Sequence, residues 1–418
     1  MRSNLTLLIL IVALCSLNLS CSGGSSSPSG PVYPTSNLPN GPTLAPLSGN
    51  NVMPLTVNGT TCAAGSYANK PCVSVTICSP INGNCQTISD ILLDTGSYGL
   101  RVFASVLNSN IILTQESNIK GSIAECVNFG DGSSEWGPVA QANLGLAGEP
   151  STEVPIMIID QSYGSPPSPC VAPNSTPDTS PSQAGFNGIL GVGLLAQDCG
   201  LGCEPPNSGN GYYYACQGNV CSGVGVLLSQ QVTNPVSLLP TDNNGVIVEL
   251  PSVPYGGVSS INGYLVLGIG TQSNNTPTGV TAYTADSVAQ FTTTYNNSTY
   301  NSSFLDTGSN GLFFTAPSAS LLPDCGTDAP GWFCPSATQT FTAVATGNSG
   351  SPAPSVNIPF YIGNALDLFN SSNNVFLEIG GDGGGAFDWG LPFHFGRNVY
   401  VGIENTTSSL GTGPYWAF

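Results

Sequence analysis

Ile91-Leu92-Leu93-Asp94-Thr95-Gly96-Ser97-Tyr98-Gly99-Leu100 recurs 212 positions later as Ser303-Phe304-Leu305-Asp306-Thr307-Gly308-Ser309-Asn310-Gly311-Leu312. A single Asp-Thr-Gly-Ser in a Gly- and Ser-rich chain reads as a plain turn, because all these residues except Thr favour turns strongly. Two copies that both follow an apolar run and both precede Gly-Leu share too much context to be independent turns. They place each aspartate at the end of a buried strand, on a tight loop, in two halves related by an imperfect duplication. Two carboxylates held within hydrogen-bonding distance cannot both ionise, so they share one proton across a useful pH range. One then serves as base and the other as acid, which activates a bound water against an amide carbonyl with no covalent intermediate. Asp94 and Asp306 are therefore the candidate catalytic pair. Gly96 and Gly308 let the backbone pass close beneath the carboxyls. Ser97 and Ser309 can bond their outer oxygens, and Thr95 and Thr307 complete the supporting loops.

The surroundings of the repeat are those of an all-β chain. Short β-branched or apolar runs, such as Val73 to Ile77, Ile91 to Leu93, Val154 to Ile159 and Tyr264 to Leu267, alternate with Gly, Pro, Asn and Ser clusters. With 52 Gly and 34 Pro in 418 residues, a helical bundle is excluded. The length exceeds one ordinary core and predicts two halves, 51–255 and 256–418, with room for a cleft. Residues 164–184, 204–211 and 346–355 read as long surface loops, and 22–50, which carries no charge, as a disordered tether.

Only 7% of residues are charged, with five Lys and Arg against 23 Asp and Glu, giving a formal net charge of -18. Nucleic acid is thereby an improbable partner, and anionic membranes are repelled. A surface built from uncharged polar residues has few ion pairs for acid to break, so tolerance of low pH is expected.

Met1-Arg2 followed by the apolar run from Leu5 to Leu14 reads as a signal peptide, residues 1–21. Leu19-Ser20-Cys21 resembles a lipoprotein signal, which implies acylation at Cys21 and contact with a membrane through that anchor alone. Apart from Cys15 and Cys21, twelve of the 14 cysteines remain, an even number in an exported chain, which points to disulfides. Cys78 with Cys85, Cys216 with Cys221, and Cys325 with Cys334 are close enough to staple local loops. A zinc site of Cys199, Cys203, Cys216 and Cys221 is the less favoured alternative. No metal or organic cofactor is implied.

The chain resembles the pepsin-like aspartic peptidases, and the resemblance extends beyond the aspartates over roughly residues 70 to 405. Phe129-Gly130-Asp131-Gly132-Ser133, continuing through Trp136 to Gly137, is similar to the flap hairpin that closes over substrate. Phe186 to Gly193 is similar to the apolar-apolar-Gly segment that braces the first loop. Gly263 to Gly270 resembles the strand that opens the second half, and Trp389-Gly390-Leu391-Pro392-Phe393 the brace of the second loop. The resemblance implies a bilobal pepsin-like fold with an interlobe sheet and central cleft, an aspartic endopeptidase working best at acidic pH, and a peptide or protein substrate for a monomeric enzyme. Three positions depart from the pattern. Phe129 stands where the family has its flap tyrosine, Arg101 where it has a tryptophan, and Asp388 where an apolar residue is usual. Trp136 or Tyr98 is a candidate to replace the missing aromatic contact.

Other chemistries find little support. A Ser-His-Asp triad would depend wholly on His394, the single histidine, for which a buried or stacking role is expected. Gly380 to Gly385 lacks the Lys and helix of a phosphate loop and reads as a glycine-rich turn. A glycosidase also uses two carboxylates but has no need of paired Asp-Thr-Gly loops. The alternative that stays open is a non-catalytic binding protein of the same fold at the cell surface.

Overall fold

The structure is a computed structural model that describes residues 48–418, apart from 66, 172–174 and 351–352. The expected signal peptide, Cys21 and most of the expected tether lie outside the described residues. Within them the chain is all-β, with 27 short strands against three α-helices of at most five residues. Among the described residues no helix is long and apolar enough to cross a membrane.

Each aspartate is positioned by the same arrangement of three strands. Strand Cys85–Asp94 runs into the first Asp-Thr-Gly-Ser loop, and the chain returns as Tyr98–Phe103. Gly188–Val192, from much later in the sequence, inserts between the two, parallel to the first and antiparallel to the second. Leu190 thus lies opposite both Leu93 and Leu100, and all three are fully buried. In the second copy, Phe387–Trp389 pairs parallel with Ser298–Leu305 and antiparallel with Leu312–Phe313. Trp389 lies opposite both Leu305 and Leu312. The glycine that comes after Leu190 or Trp389 in each inserted segment follows from packing. A Cβ on Gly191 would run into the Tyr98 backbone, and one on Gly390 into the carbonyl of Gly311.

A long run of strands belongs to the same sheet as the first loop, whereas the strands of the second loop form a separate sheet. The strands of the run lie in the order Pro71–Cys78, Val52–Val57, Ile261–Leu267, Gly245–Leu250, Arg397–Gly402, Tyr415–Ala417, Ala282–Thr284, each pair antiparallel. One continuous apolar core joins Leu55, Leu93 and Leu190 of the first copy to Leu305, Trp389 and Val401 of the second. Behind the second loop the core is aromatic. Tyr295, Phe314, Phe360, Phe387 and Trp389 meet with ring centroids between 4.5 and 5.9 Å, mostly edge to face. The Trp389 indole donates to Thr293 Oγ1 at 3.0 Å, so its one polar atom is satisfied.

All twelve described cysteines are paired: 62–72, 78–85, 126–170, 199–203, 216–221 and 325–334. The three expected local staples are present, and the sulfurs of the zinc alternative are consumed in two bridges.

Candidate active site

The two Asp-Thr-Gly-Ser loops meet face to face and are bonded with near-perfect twofold symmetry. Thr95 N–H donates to Thr307 Oγ1 at 3.0 Å and Thr307 N–H to Thr95 Oγ1 at 3.0 Å. Each hydroxyl in turn donates across the junction, Thr95 to the Leu305 carbonyl at 2.9 Å and Thr307 to the Leu93 carbonyl at 2.7 Å. Threonine supplies one donor and one acceptor here, and both are used inside a buried junction where an unmade bond would be costly. The loops are thereby locked in register.

Above this lock the carboxyls are held by their own loops. Gly96 N–H donates to Asp94 Oδ1 at 2.7 Å and Ser97 Oγ donates to Asp94 Oδ2. Gly308 N–H donates to Asp306 Oδ1 at 2.7 Å and Ser309 Oγ to Asp306 Oδ2 at 2.9 Å. Both glycines are required by the opposite carboxyl. A Cβ on Gly96 would lie 2.7 Å from Asp306 Cγ, and one on Gly308 2.9 Å from Asp94 Cγ. Asp94 and Asp306 are within hydrogen-bonding reach of one another. Burial, then the Asp94 charge, then Asp388, hold Asp306 well above the usual carboxylate range. The pair is therefore able to share one proton.

The candidate flap is a hairpin of Gly121–Asn128 and Ser133–Gly145, turning at 129–132. Asp131 Oδ1 closes the turn by accepting from Ser133 N at 2.8 Å and from Ser133 Oγ at 2.7 Å. Gly130 lies exposed at the tip, and Gly132 takes a left-handed φ of 87°. Phe129 packs inward against the clusters that hold Val127 and Phe186. Trp136, expected as a substrate-binding residue, is instead a core residue. It is fully buried, its indole donates to the Tyr163 carbonyl at 2.7 Å, and it packs edge-on to Tyr214 beside the Cys126–Cys170 bridge. Period-two alternation explains the correction, because neighbouring flap residues point to opposite faces. Tyr98 stays beside the pair, and burial followed by the Asp94 charge raises its phenol.

Arg101, at the departure from the expected tryptophan, is buried beneath the flap in an ionic network. Its Nη2 donates to Glu125 Oε1 at 2.6 Å and to Asp198 Oδ2 at 3.1 Å. Glu135, on the flap's second strand, is fully buried with both carboxyl oxygens lacking partners, and burial pushes it up to about 8 despite Arg101.

One residue of the site was not legible in the sequence. Tyr67 lies in the loop closed by Cys62–Cys72, and its hydroxyl is 3.5 Å from the Gly308 carbonyl. Burial raises the phenol first, and the charges of Asp131, Asp306, Asp94 and Asp178 add to that. The disulfide loop marks it in the sequence only after the pairing of Cys62 with Cys72 is known. His394 is fully buried against the Phe393 ring edge, and burial takes it down to about 3.

No curated protein matches the chain. A family model described as "Protein of unknown function (DUF3443)" matches residues 48–418, and the chain belongs to that family.

Proposed function

We propose that the protein is an aspartic endopeptidase of bilobal, pepsin-like build, with Asp94 and Asp306 as its catalytic pair. The observation that carries this reading is the twofold junction of the two loops, with both carboxyls in reach of each other and Asp306 held up by burial and the Asp94 charge. Asp94 takes a proton from a bound water as the water oxygen attacks the peptide carbonyl carbon. Asp306 gives its proton to the carbonyl oxygen, and a gem-diol results. The diol then collapses: Asp94 passes its proton to the leaving nitrogen, Asp306 recovers one from a diol hydroxyl, and the C–N bond breaks. The hairpin at 129–132 and Tyr67 flank the place where an extended peptide would lie. Paired three-strand arrangements at the two loops, in two separate sheets, support the bilobal reading. Six disulfides fit export to an oxidising compartment, with the Cys21 anchor as part of the same proposal.

The second reading, a peptide- or glycan-binding protein that keeps the aspartates as structural groups, is favoured by one observation: the aromatic contact beneath the flap is replaced by the Arg101 network. Asp94→Asn separates the two. It removes the shared proton but keeps the side chain's shape. On the peptidase reading, hydrolysis of peptides falls by about 10²- to 10⁴-fold with the melting temperature nearly unchanged. Intact hydrolysis in Asp94→Asn sinks the assignment of the pair.

A further inference from the structure

In a chain with 23 Asp and Glu against five Lys and Arg, a shielded cation has no shortage of counter-ions. Of the basic residues described, Lys120 is exposed, Lys70 and Arg101 are buried, and Arg397 is half-buried. Both buried ones obey the rule that a cation taken out of water keeps a carboxylate beside it. Lys70 Nζ is 2.7 Å from Asp90 Oδ1, and Arg101 Nη2 is 2.6 Å from Glu125 Oε1 and 3.1 Å from Asp198 Oδ2. Arg397 departs from the rule. Among the described residues no carboxylate lies within ion-pair distance of its guanidinium.

The backbone sets that guanidinium among apolar walls. Helix Leu391–His394 ends before Gly396, whose left-handed φ of 74° turns the chain into strand Arg397–Gly402. Arg397 folds back over the helix: its Nη1 donates to the Phe393 carbonyl, and its Cζ lies 4.5 Å from the centre of the Phe393 ring. Strand Ser355–Ile362 buries Ile358, Phe360 and Ile362 by its alternation, and its first two core residues supply another wall. These elements enclose a cleft lined by Leu312, Ile358, Phe360, Trp389, Phe393 and Arg397. It measures about 350 Å³ counted out to its open mouth, which admits one small molecule. No residue of the two Asp-Thr-Gly-Ser loops lines it.

A guanidinium carries five N–H donors in one plane, and among the described residues the Phe393 carbonyl is the one acceptor they meet. Burial lowers Arg397 to about 10, with the Tyr361 phenol acting the other way. His394, close by, is kept neutral by burial and brings no countercharge. The side chain therefore stays charged at neutral pH in a place that neither solvates nor pairs the charge fully.

We propose that this cleft is a binding site for a small aliphatic carboxylate, held by the Arg397 guanidinium with its tail against Phe360 and Trp389. A carboxylate matches the planar fork of a guanidinium with two parallel hydrogen bonds. The apolar walls gain from covering a hydrocarbon tail. A phosphate or sulfate would lose its hydration to walls that return nothing. The same chemistry occurs in a free carboxylic acid and in the C-terminal carboxylate of a peptide that ends in an apolar residue. The site shares no residue with the aspartate pair and does not depend on the peptidase reading.

The test follows the Trp389 indole N–H signal in ¹H–¹⁵N spectra of the purified protein at neutral pH as sodium hexanoate is added at constant ionic strength. Saturable binding with a Kd of about 1–10 mM is expected, the worth of one charge-assisted contact and a short buried tail. Hexanamide, which has the same tail and no charge, is expected to bind at least about tenfold more weakly, and Arg397→Gln to weaken hexanoate by a similar factor. N-acetyl-alanyl-leucine against its C-terminal amide separates the two sources. Tighter binding than hexanoate assigns the site to peptide C-termini, and weaker binding assigns it to free acids. The proposal is overturned if hexanoate moves the signal no more than sodium chloride does, if hexanamide binds equally well, or if Arg397→Gln binds hexanoate as the parent does. Should Arg397→Gln fail to fold, the comparison of hexanoate with hexanamide on the parent protein decides alone.

Discussion

Each threonine of the two loops spends its hydroxyl proton on a carbonyl of the other copy and its oxygen on the other copy's N–H. A single Thr→Val change therefore strands one donor and one acceptor in a buried place, which explains why the motif needs threonine and not merely a β-branched residue. Tyr67 is the residue with the most direct stake in the site outside the motifs. Tyr67→Phe removes the hydroxyl that faces Gly308 but leaves the ring that packs on Gly185, where a Cβ would lie 3.1 Å from Tyr67 Cδ2. Turnover of a peptide substrate is expected to fall about 2- to 10-fold, the worth of one neutral hydrogen bond, with stability changed by less than about 0.5 kcal/mol. A loss in melting temperature of many degrees without a kinetic effect would make Tyr67 a packing residue instead. The aspartates, glycines and serines were legible in the sequence because the repeat placed them twice in one context. Tyr67 was not, since the carbonyl it faces lies 241 positions away.

At the scale of elements, the flap is held more firmly than a free hairpin. Thr176–Pro177 lies parallel to Ser133–Ser134, Thr176 N–H donates to the Gly132 carbonyl at 2.8 Å, Ser134 Oγ donates to the Cys170 carbonyl at 3.1 Å, and Cys170 is bridged to Cys126. The hairpin itself was readable from Phe129-Gly130-Asp131-Gly132-Ser133, because a tight turn is a local property. Its strap was not, because a parallel pairing and a bridge across 44 residues leave no local trace. The same strand carries Glu135, buried without a partner and pushed up to about 8. Its folded-state value lies above the unfolded one, so the stability it allows is full below about pH 4 and is lost as pH rises toward 8. Glu135→Gln removes that titration. Urea unfolding is expected to give nearly equal stability for the variant and the parent at pH 3.5, and a variant more stable by on the order of 4 kcal/mol at pH 8.5. Parallel pH slopes for the two proteins would show that Glu135 is ionised and satisfied in the fold.

For the whole molecule the same sign recurs. Burial raises Asp388 and Glu135 to about 8 and Asp178 to about 6, and it also raises Glu249 and Glu378. Between about pH 4 and 8 the folded protein thus binds more protons than the unfolded chain, and stability falls as pH rises. His394, taken down to about 3, works the other way between 3 and 6.5, but it is one group against several. The melting temperature is expected to drop by about 5 °C or more from pH 5 to pH 8. A higher melting temperature at pH 8 would mean that the buried carboxyls are ionised and paired. The scarcity of charge leads to the same expectation of low-pH tolerance, but it does not point to the buried acids, since composition counts residues and does not place them. The all-β class was similarly legible from short runs between Gly and Pro. The pairing of Val52–Val57 with Ile261–Leu267, which brings the ends of the first half together with the second, joins residues about two hundred positions apart and had no local signal. The most direct test of the central claim is cleavage of a diverse peptide mixture by the purified protein at pH 3 to 7, with and without a statine-type inhibitor that mimics the gem-diol. Acidic cleavage abolished by the inhibitor is the expected result. A folded, disulfide-bonded sample that cuts nothing across that range would contradict it and leave the paired aspartates as the structural centre of a binding protein.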